Sequence, residues 1–191
     1  VRSLPVEEWP AADREAWEIA CRPGERLKRG GAAYHMKPIT RNDLARRYGY
    51  FLNYVRRSGE TLDSDAGAAF YVTPERAENY IAELKGRVSS VTVYGSIFKL
   101  RRTAQLLAPM RDFVWVIELE KDLELVMQPK SKFGRFVYTD VLVEAGITLM
   151  AEADAATHRT ALWRARQFRD GLMVALLAVC PVRLKNFAAL D

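Results

Sequence analysis

The sequence predicts an all-α protein, and two observations carry that prediction. Apolar residues recur at helical spacing through most of the chain: Leu44, Tyr48, Phe51 and Val55 stand at steps of 4, 3 and 4, one face of a helix. Helix-start and helix-stop chemistry falls between the periodic stretches. Thr73-Pro74-Glu75 places a cap, an N1 proline and an acid in the order a helix start needs, while Pro23-Gly24, Ser58-Gly59, Lys85-Gly86 and Pro109 mark ends.

The elements follow in order. Residues 7–20 read as a short amphipathic helix anchored by Trp9 and Trp17. Residues 22–38 read as a basic, Gly-containing connection. Thr40 is the expected cap of a helix over 41–57. A loop with Gly59, Asp63, Asp65 and Gly67 leads to the helix that starts at Thr73 and runs through Tyr80, Ile81 and Leu84. Ser89 or Ser90 caps a helix over 91–107, with Val93, Ile97, Leu100, Ala104 and Leu107 on one side. A fifth helix covers 113–127. The polar, basic segment from Pro129 to Gly134 is the clearest linker. Helical stretches over 139–152, 157–179 and 183–190 follow, so the expected division is 1–128 and 129–191. There is no internal repeat and no low-complexity tract.

Length and composition exclude several classes. A chain of 191 residues with 49% hydrophobic residues can bury a core and is too apolar for disorder. Cys21 and Cys180 are two isolated cysteines, which excludes a disulfide framework and a cysteine zinc site. The reducing cytoplasm is the expected compartment. His35 and His158 are too few for a histidine metal site and read as loop and helix-surface residues; no metal or cofactor is expected. The longest apolar run, from Gly171 to Val182, is too short to span a bilayer and reads as a buried core helix. The acidic N-terminus lacks the apolar core of a signal peptide. A first residue of Val and an apolar helix running up to Asp191 without a visible cap are what the front part of a larger protein would show.

Charge is unevenly placed. Residues 25–58 hold nine basic and two acidic side chains, +7, while the rest of the chain sums to −2. One basic surface is expected, and such a surface usually meets phosphate. On the helix 41–57, Arg46, Tyr50, Asn53 and Arg57 form a second face about 200° from the apolar one, flanked by Arg41, Arg47 and Arg56. Arginine offers charge and a bidentate fork, and Asn can read a base edge or bind a phosphate oxygen. The alternative is a solvated helix face, against which the scarcity of nearby acids in the sequence argues. Arg26, Lys28, Arg29 and Lys37 would extend the patch. A weaker polar face on the helix 91–107 carries Thr92, Ser96, Lys99 and Thr103, with Arg101 and Arg102 beside it. Small hydroxyls and a lysine can approach a sugar-phosphate backbone closely; the alternative is again solvated surface.

The last segment is the most specific. An apolar helix breaks at Cys180-Pro181, Arg183 starts the next helix, and Phe187-Ala188-Ala189-Leu190 continues it. This resembles the first arginine box of the tyrosine recombinases, the phage integrase family, with Pro181-Val182-Arg183 in place of the family's Gly-x-Arg turn. The upstream helix 40–57, Thr73-Pro74-Glu75, the Tyr80-Ile81 pair, and residues 89–92 running into Leu100-Arg101-Arg102 resemble the family's N-terminal core-binding domain. The resemblance spans most of the chain. Asn186 departs from it, since family members usually carry an acidic residue there.

The resemblance implies a helical, SAM-like core-binding bundle followed by the opening helices of a truncated catalytic domain. It implies an activity: cutting and rejoining DNA through a phosphotyrosine intermediate. Arg183 would be the first of two arginines that stabilise charge on the scissile phosphate, a task suited to the guanidinium fork. The family's lysine hairpin, His-x-x-Arg box and nucleophilic tyrosine belong after Asp191, so this polypeptide is expected to be inactive alone. The implied partner is double-stranded DNA, clamped between the two domains. Helices 41–57 and 91–107 would face it through Arg41, Arg46, Arg47, Tyr50, Asn53, Arg57, Thr92, Ser96, Lys99 and Arg102. Self-association would belong to the full-length protein, and no membrane partner is implied. The competing reading is a helical protein-interaction module of a phage or mobile element whose basic face binds an acidic partner. A helix-turn-helix regulator fits less well, because no tight Gly turn precedes a basic recognition helix. Neither a phosphate-cradling Gly loop nor a Ser/His/Asp or Cys/His arrangement is present.

Overall fold

The computed structural model describes residues 2–27, 29–62, 67–182 and 184–188. The fold is all-α. It divides into two compact units, Val1–Pro129 and Lys130–Asp191.

In the first unit an extended N-terminal segment leads into a 3-10 turn at Val6–Glu8 and then α1, Ala11–Cys21. Helix α2, Pro38–Arg57, starts earlier than its threonine suggests. Pro38 sits at N1, where a missing N–H costs nothing and a fixed φ helps, so Lys37 is the cap and Thr40 lies inside the first turn. Helix α3, Pro74–Lys85, starts at Thr73, whose hydroxyl accepts from the Arg76 N–H at 3.3 Å. Helices α4, Ser90–Leu107, and α5, Val114–Leu125, complete the unit.

The core is aromatic and aliphatic. Tyr48, Phe51, Leu52 and Val55 of α2 pack with Tyr80, Ile81 and Leu84 of α3 and with Val93, Ile97, Leu100 and Leu107 of α4. Trp9 closes one end, its ring edge-on to Tyr48 at 4.9 Å. The N-terminal segment is a strap across α2: the Leu4 N–H donates to Gly49 C=O at 3.1 Å, and the Ser3 hydroxyl to Arg46 C=O at 2.8 Å. Arg101 of α4 joins α5 by donating to Glu120 at 2.6 Å, so it belongs to the bundle's own packing.

The second unit is a hairpin of α6, Thr139–Ala155, and α7, Ala161–Val179, followed by a short α8, Leu184–Phe187. Thr160 caps α7 through its hydroxyl, which leaves His158 in the connecting turn and not on a helix surface. The two helices cross at their glycines: a Cβ on Gly146 would stand 2.6 Å from Gly171 C=O. The expected burial of the run from Gly171 to Val182 holds only at Gly171. Helix α6 meets one side of α7, so Leu172, Leu176 and Val179 on its other sides are exposed. Among the described residues, no helix is long and apolar enough to cross a membrane.

Candidate nucleic-acid interface

The two faces expected to point outward do not both do so. Helix α4 buries small polar residues against α2 along with its apolar face. Ser96 is 4% exposed and Thr103 fully buried. Their hydroxyls donate to the carbonyls four residues back, Ser96 to Thr92 at 2.7 Å and Thr103 to Lys99 at 2.9 Å. A hydroxyl satisfied within its own helix can enter a helix–helix seam, which the residue type alone does not reveal. Lys99 is spent on the same seam, paired with Asp43 of α2. Thr92 remains partly exposed, and Arg102 stands exposed on the outer side of α4.

Asn53 is also corrected. It is 5% exposed beneath the N-terminal strap, where its amide donates to Arg2 C=O at 2.7 Å and its oxygen accepts from Arg56 at 3.1 Å. It helps hold the strap and has no free edge with which to read a base. Arg46 stays exposed and pairs with Asp43 at 2.9 Å. Arg41 lies partly buried against Cys21; burial pushes that thiol up and the Arg41 charge and hydrogen bond oppose it. The scarcity of acids near these arginines in sequence does not hold in space. Glu83 reaches Arg57 from α3, and Glu8 approaches Arg56 at 3.6 Å. Lys28 and Arg183 lie outside the described residues.

The fold gathers five of the ten candidates into one groove of about 260 Å³ where α2, α3 and α4 meet; Arg41, Arg46 and Arg102 are not among its lining residues. Arg47, Tyr50 and Arg57 line it from α2, Tyr80 and Glu83 from α3, Arg87 from the turn after α3, and Thr92 and Ser96 from α4. Arg47 donates to the Ser96 hydroxyl through Nη1 at 3.4 Å. Its Nε is buried and makes no hydrogen bond; the nearest carboxylate oxygen, Asp43 Oδ1, is 3.9 Å away. Glu83 bridges the other two guanidiniums, accepting from Arg57 Nη2 at 2.9 and 3.0 Å and from Arg87 Nη1 at 2.6 Å. Three arginines thus face a single carboxylate within the groove.

Two titrations follow from this packing. Burial pushes the Tyr80 phenol up to about 12, opposed by Arg47 and aided by Glu83, so the groove presents a neutral hydroxyl. Burial also acts to raise Asp43. Hydrogen bonds from Lys99 and Arg46, with the charges of Lys99 and Arg47, outweigh it and hold the carboxyl below its usual range.

Arg87, Glu83 and Tyr80 are groove residues that sequence reasoning missed. The i, i+4 spacing of Glu83 and Arg87 was the available signal, but it reads equally well as an ordinary surface pair. Only the packing of the end of α3 beside α2 makes it part of a cationic site. Chemically, the groove can take one multidentate anion: guanidiniums for charge, the Thr92 hydroxyl for a short hydrogen bond, and a tyrosine wall, while the Ser96 hydroxyl has already given its proton to Thr92 C=O. Comparison with known proteins finds no matching family model, no matching curated protein and no matching solved structure.

Proposed function

We propose that this chain binds double-stranded DNA as the core-binding part of a tyrosine recombinase, with Val1–Pro129 as the DNA-binding unit and Lys130–Asp191 as the opening of the catalytic part. The observation that carries the reading is the convergence of Arg47, Arg57 and Arg87 with Thr92 and Ser96 in one groove. The excess of nine basic over two acidic residues in 25–58 supports it from the sequence side. A surface that holds unequal charge, with guanidiniums beside hydroxyls, matches the anionic and oxygen-rich backbone of a duplex. Exposed Arg46 and Arg102 supply flanking charge for neighbouring phosphates. Arg183, carried by the resemblance alone, is the proposed catalytic residue, donating to the scissile phosphate as charge develops there.

The test is binding of mixed-sequence duplex DNA as salt is raised. Wild type is expected to lose affinity steeply. Arg57→Ala with Arg87→Ala is expected to weaken binding about ten-fold or more at low salt and to flatten the salt slope by about two, one for each phosphate contact removed. Unchanged affinity and slope in a folded double variant would refute this placement of the interface. Absence of duplex binding at low salt, together with tight binding of an acidic protein, would favour the interaction-module reading.

A further inference from the structure

The groove's three guanidiniums are unequally engaged. Glu83 holds Arg57 with both oxygens and Arg87 with one, at 2.6–3.0 Å, distances typical of charge-assisted bonds. Arg47, on the same wall, has a buried Nε with no acceptor. A carboxylate has two oxygens and one charge. A phosphodiester also has two free oxygens and one charge, but its tetrahedral phosphorus and bridging oxygens extend its reach. Glu83 therefore occupies the position an incoming phosphate oxygen would take between Arg57 and Arg87. Its side chain is only 25% exposed, but it sits on the last turn of α3, where rotation about its own side-chain bonds moves the carboxylate away from the groove.

We infer that Glu83 is an internal counter-anion that competes with phosphate for the groove, an inference that rests on the DNA-binding reading of this face. A phosphodiester group displaces the Glu83 carboxylate from Arg57 and Arg87 and meets Arg47 and the Thr92 hydroxyl across the groove. Glu83 thereby sets the affinity: it keeps the arginines ordered and their charge partly neutralised in the free protein, and every binding event must break its two ion pairs. Its role is opposite in sign to that of the arginines, so its removal should tighten binding where theirs loosens it.

The experiment compares wild type, Glu83→Gln and Glu78→Gln, with mixed-sequence duplex DNA and with inorganic phosphate. Phosphate binding is read from NMR shifts of the Thr92 and Ser96 amides. Glu78 is exposed on the opposite side of α3 and makes the same change of net charge away from the groove. Glu83→Gln is near-isosteric, and thermal unfolding verifies its fold. The expected result is about five-fold tighter duplex binding for Glu83→Gln at moderate salt, with a steeper salt slope, and tighter phosphate binding in step. Glu78→Gln should stay within about two-fold of wild type. If duplex binds steeply to wild type but Glu83→Gln binds no more tightly than Glu78→Gln, the counter-anion role is overturned and the DNA reading survives. If duplex does not bind but phosphate binds Glu83→Gln more tightly at these amides, the groove's anion site stands and the DNA reading falls. If neither probe binds any of the three proteins, both are overturned.

Discussion

Replacing Asp13 with alanine is expected to cost about 3–5 kcal/mol of unfolding free energy, measured by urea denaturation, because it strands two buried donors. Asp13 is fully buried. One carboxylate oxygen accepts from the Tyr48 hydroxyl at 2.7 Å and the other from the Ala69 N–H at 2.6 Å. Tyr48 is itself fully buried, and Ala69 is held with φ at 56°, a left-handed conformation costly for a residue with a Cβ. Arg111 grips the far side of the same turn, donating to Ala69 C=O at 2.7 Å and Val72 C=O at 3.0 Å. Asp13 therefore ties α1, α2 and the turn before α3 at one point.

The pH dependence of that loss has a definite sign. Burial pushes the Asp13 carboxyl above 3.8, although the bonds from Tyr48 and Ala69 pull it down. The folded state then binds the proton more readily than the unfolded chain does. As pH falls from above the raised folded value toward 3.8, this group makes the protein more stable, not less. Asp13→Asn removes the titration. The stability of wild type relative to Asp13→Asn should accordingly rise as pH falls through that window. Asp43 behaves oppositely: its carboxyl is held low, so its contribution is present above 3.8 and is lost as pH falls through its folded value. Comparing Asp13→Asn with Asp43→Asn across the acid limb separates the two, and identical pH profiles for both would refute the assignment.

The second large effect is expected at Gly49. A Cβ there would stand 2.1 Å from Leu4 C=O and 2.5 Å from Ser3 Oγ. The first clash is with backbone, so no rotamer change relieves it. Gly49→Ala must lift the N-terminal strap from α2. That breaks the Leu4–Gly49 hydrogen bond, uncovers Leu4 and loosens Trp9, whose indole N–H donates to Leu4 C=O at 3.2 Å. Uncovering Leu4 costs about 2 kcal/mol and the two hydrogen bonds about 1 kcal/mol each, roughly 4 kcal/mol together. Unfolding by urea, with tryptophan fluorescence following Trp9, checks it. Gly95 is the internal control. It lies within α4 with nothing within 4 Å of where a Cβ would stand, so Gly95→Ala should stabilise by about 0.5–1 kcal/mol through helix propensity and reduced unfolded-state entropy. Equal destabilisation by the two substitutions would sink the strap argument.

The groove residues follow the same division between local and tertiary information. Helical spacing picks out Tyr50, Arg57, Thr92 and Ser96, with Arg47 flanking, and the fold brings these five together; Arg46, Asn53 and Lys99 of the same two faces it leaves outside. Helical spacing is a local property, so the direction a residue faces on its own helix can be read from the chain. What lies opposite is not local. Asn53 shares a helical face with Arg46 and Arg57, yet it is covered, because the strap crosses α2 at Gly49 next to it. Thr103 looks like surface on a helical wheel and is core, because its hydroxyl needs no partner beyond its own helix. Glu83 lies 26 residues from Arg57, and no pattern in the chain pairs them.

The all-α class, the approximate positions of the helices, the apolar faces of α2 and α4, and the concentration of positive charge in 25–58 can all be read along the chain. Capping chemistry and 3.6-residue periodicity act within a few residues, which is why they are legible along a single chain. Which polar residues are sealed in the α2–α4 seam, where the strap lies, and that Arg87 and Glu83 join Arg47 and Arg57 in one groove emerge only when the helices pack. Those outcomes depend on which surfaces bury the most apolar area while leaving no donor unsatisfied, a condition on the whole bundle that no short stretch of sequence contains.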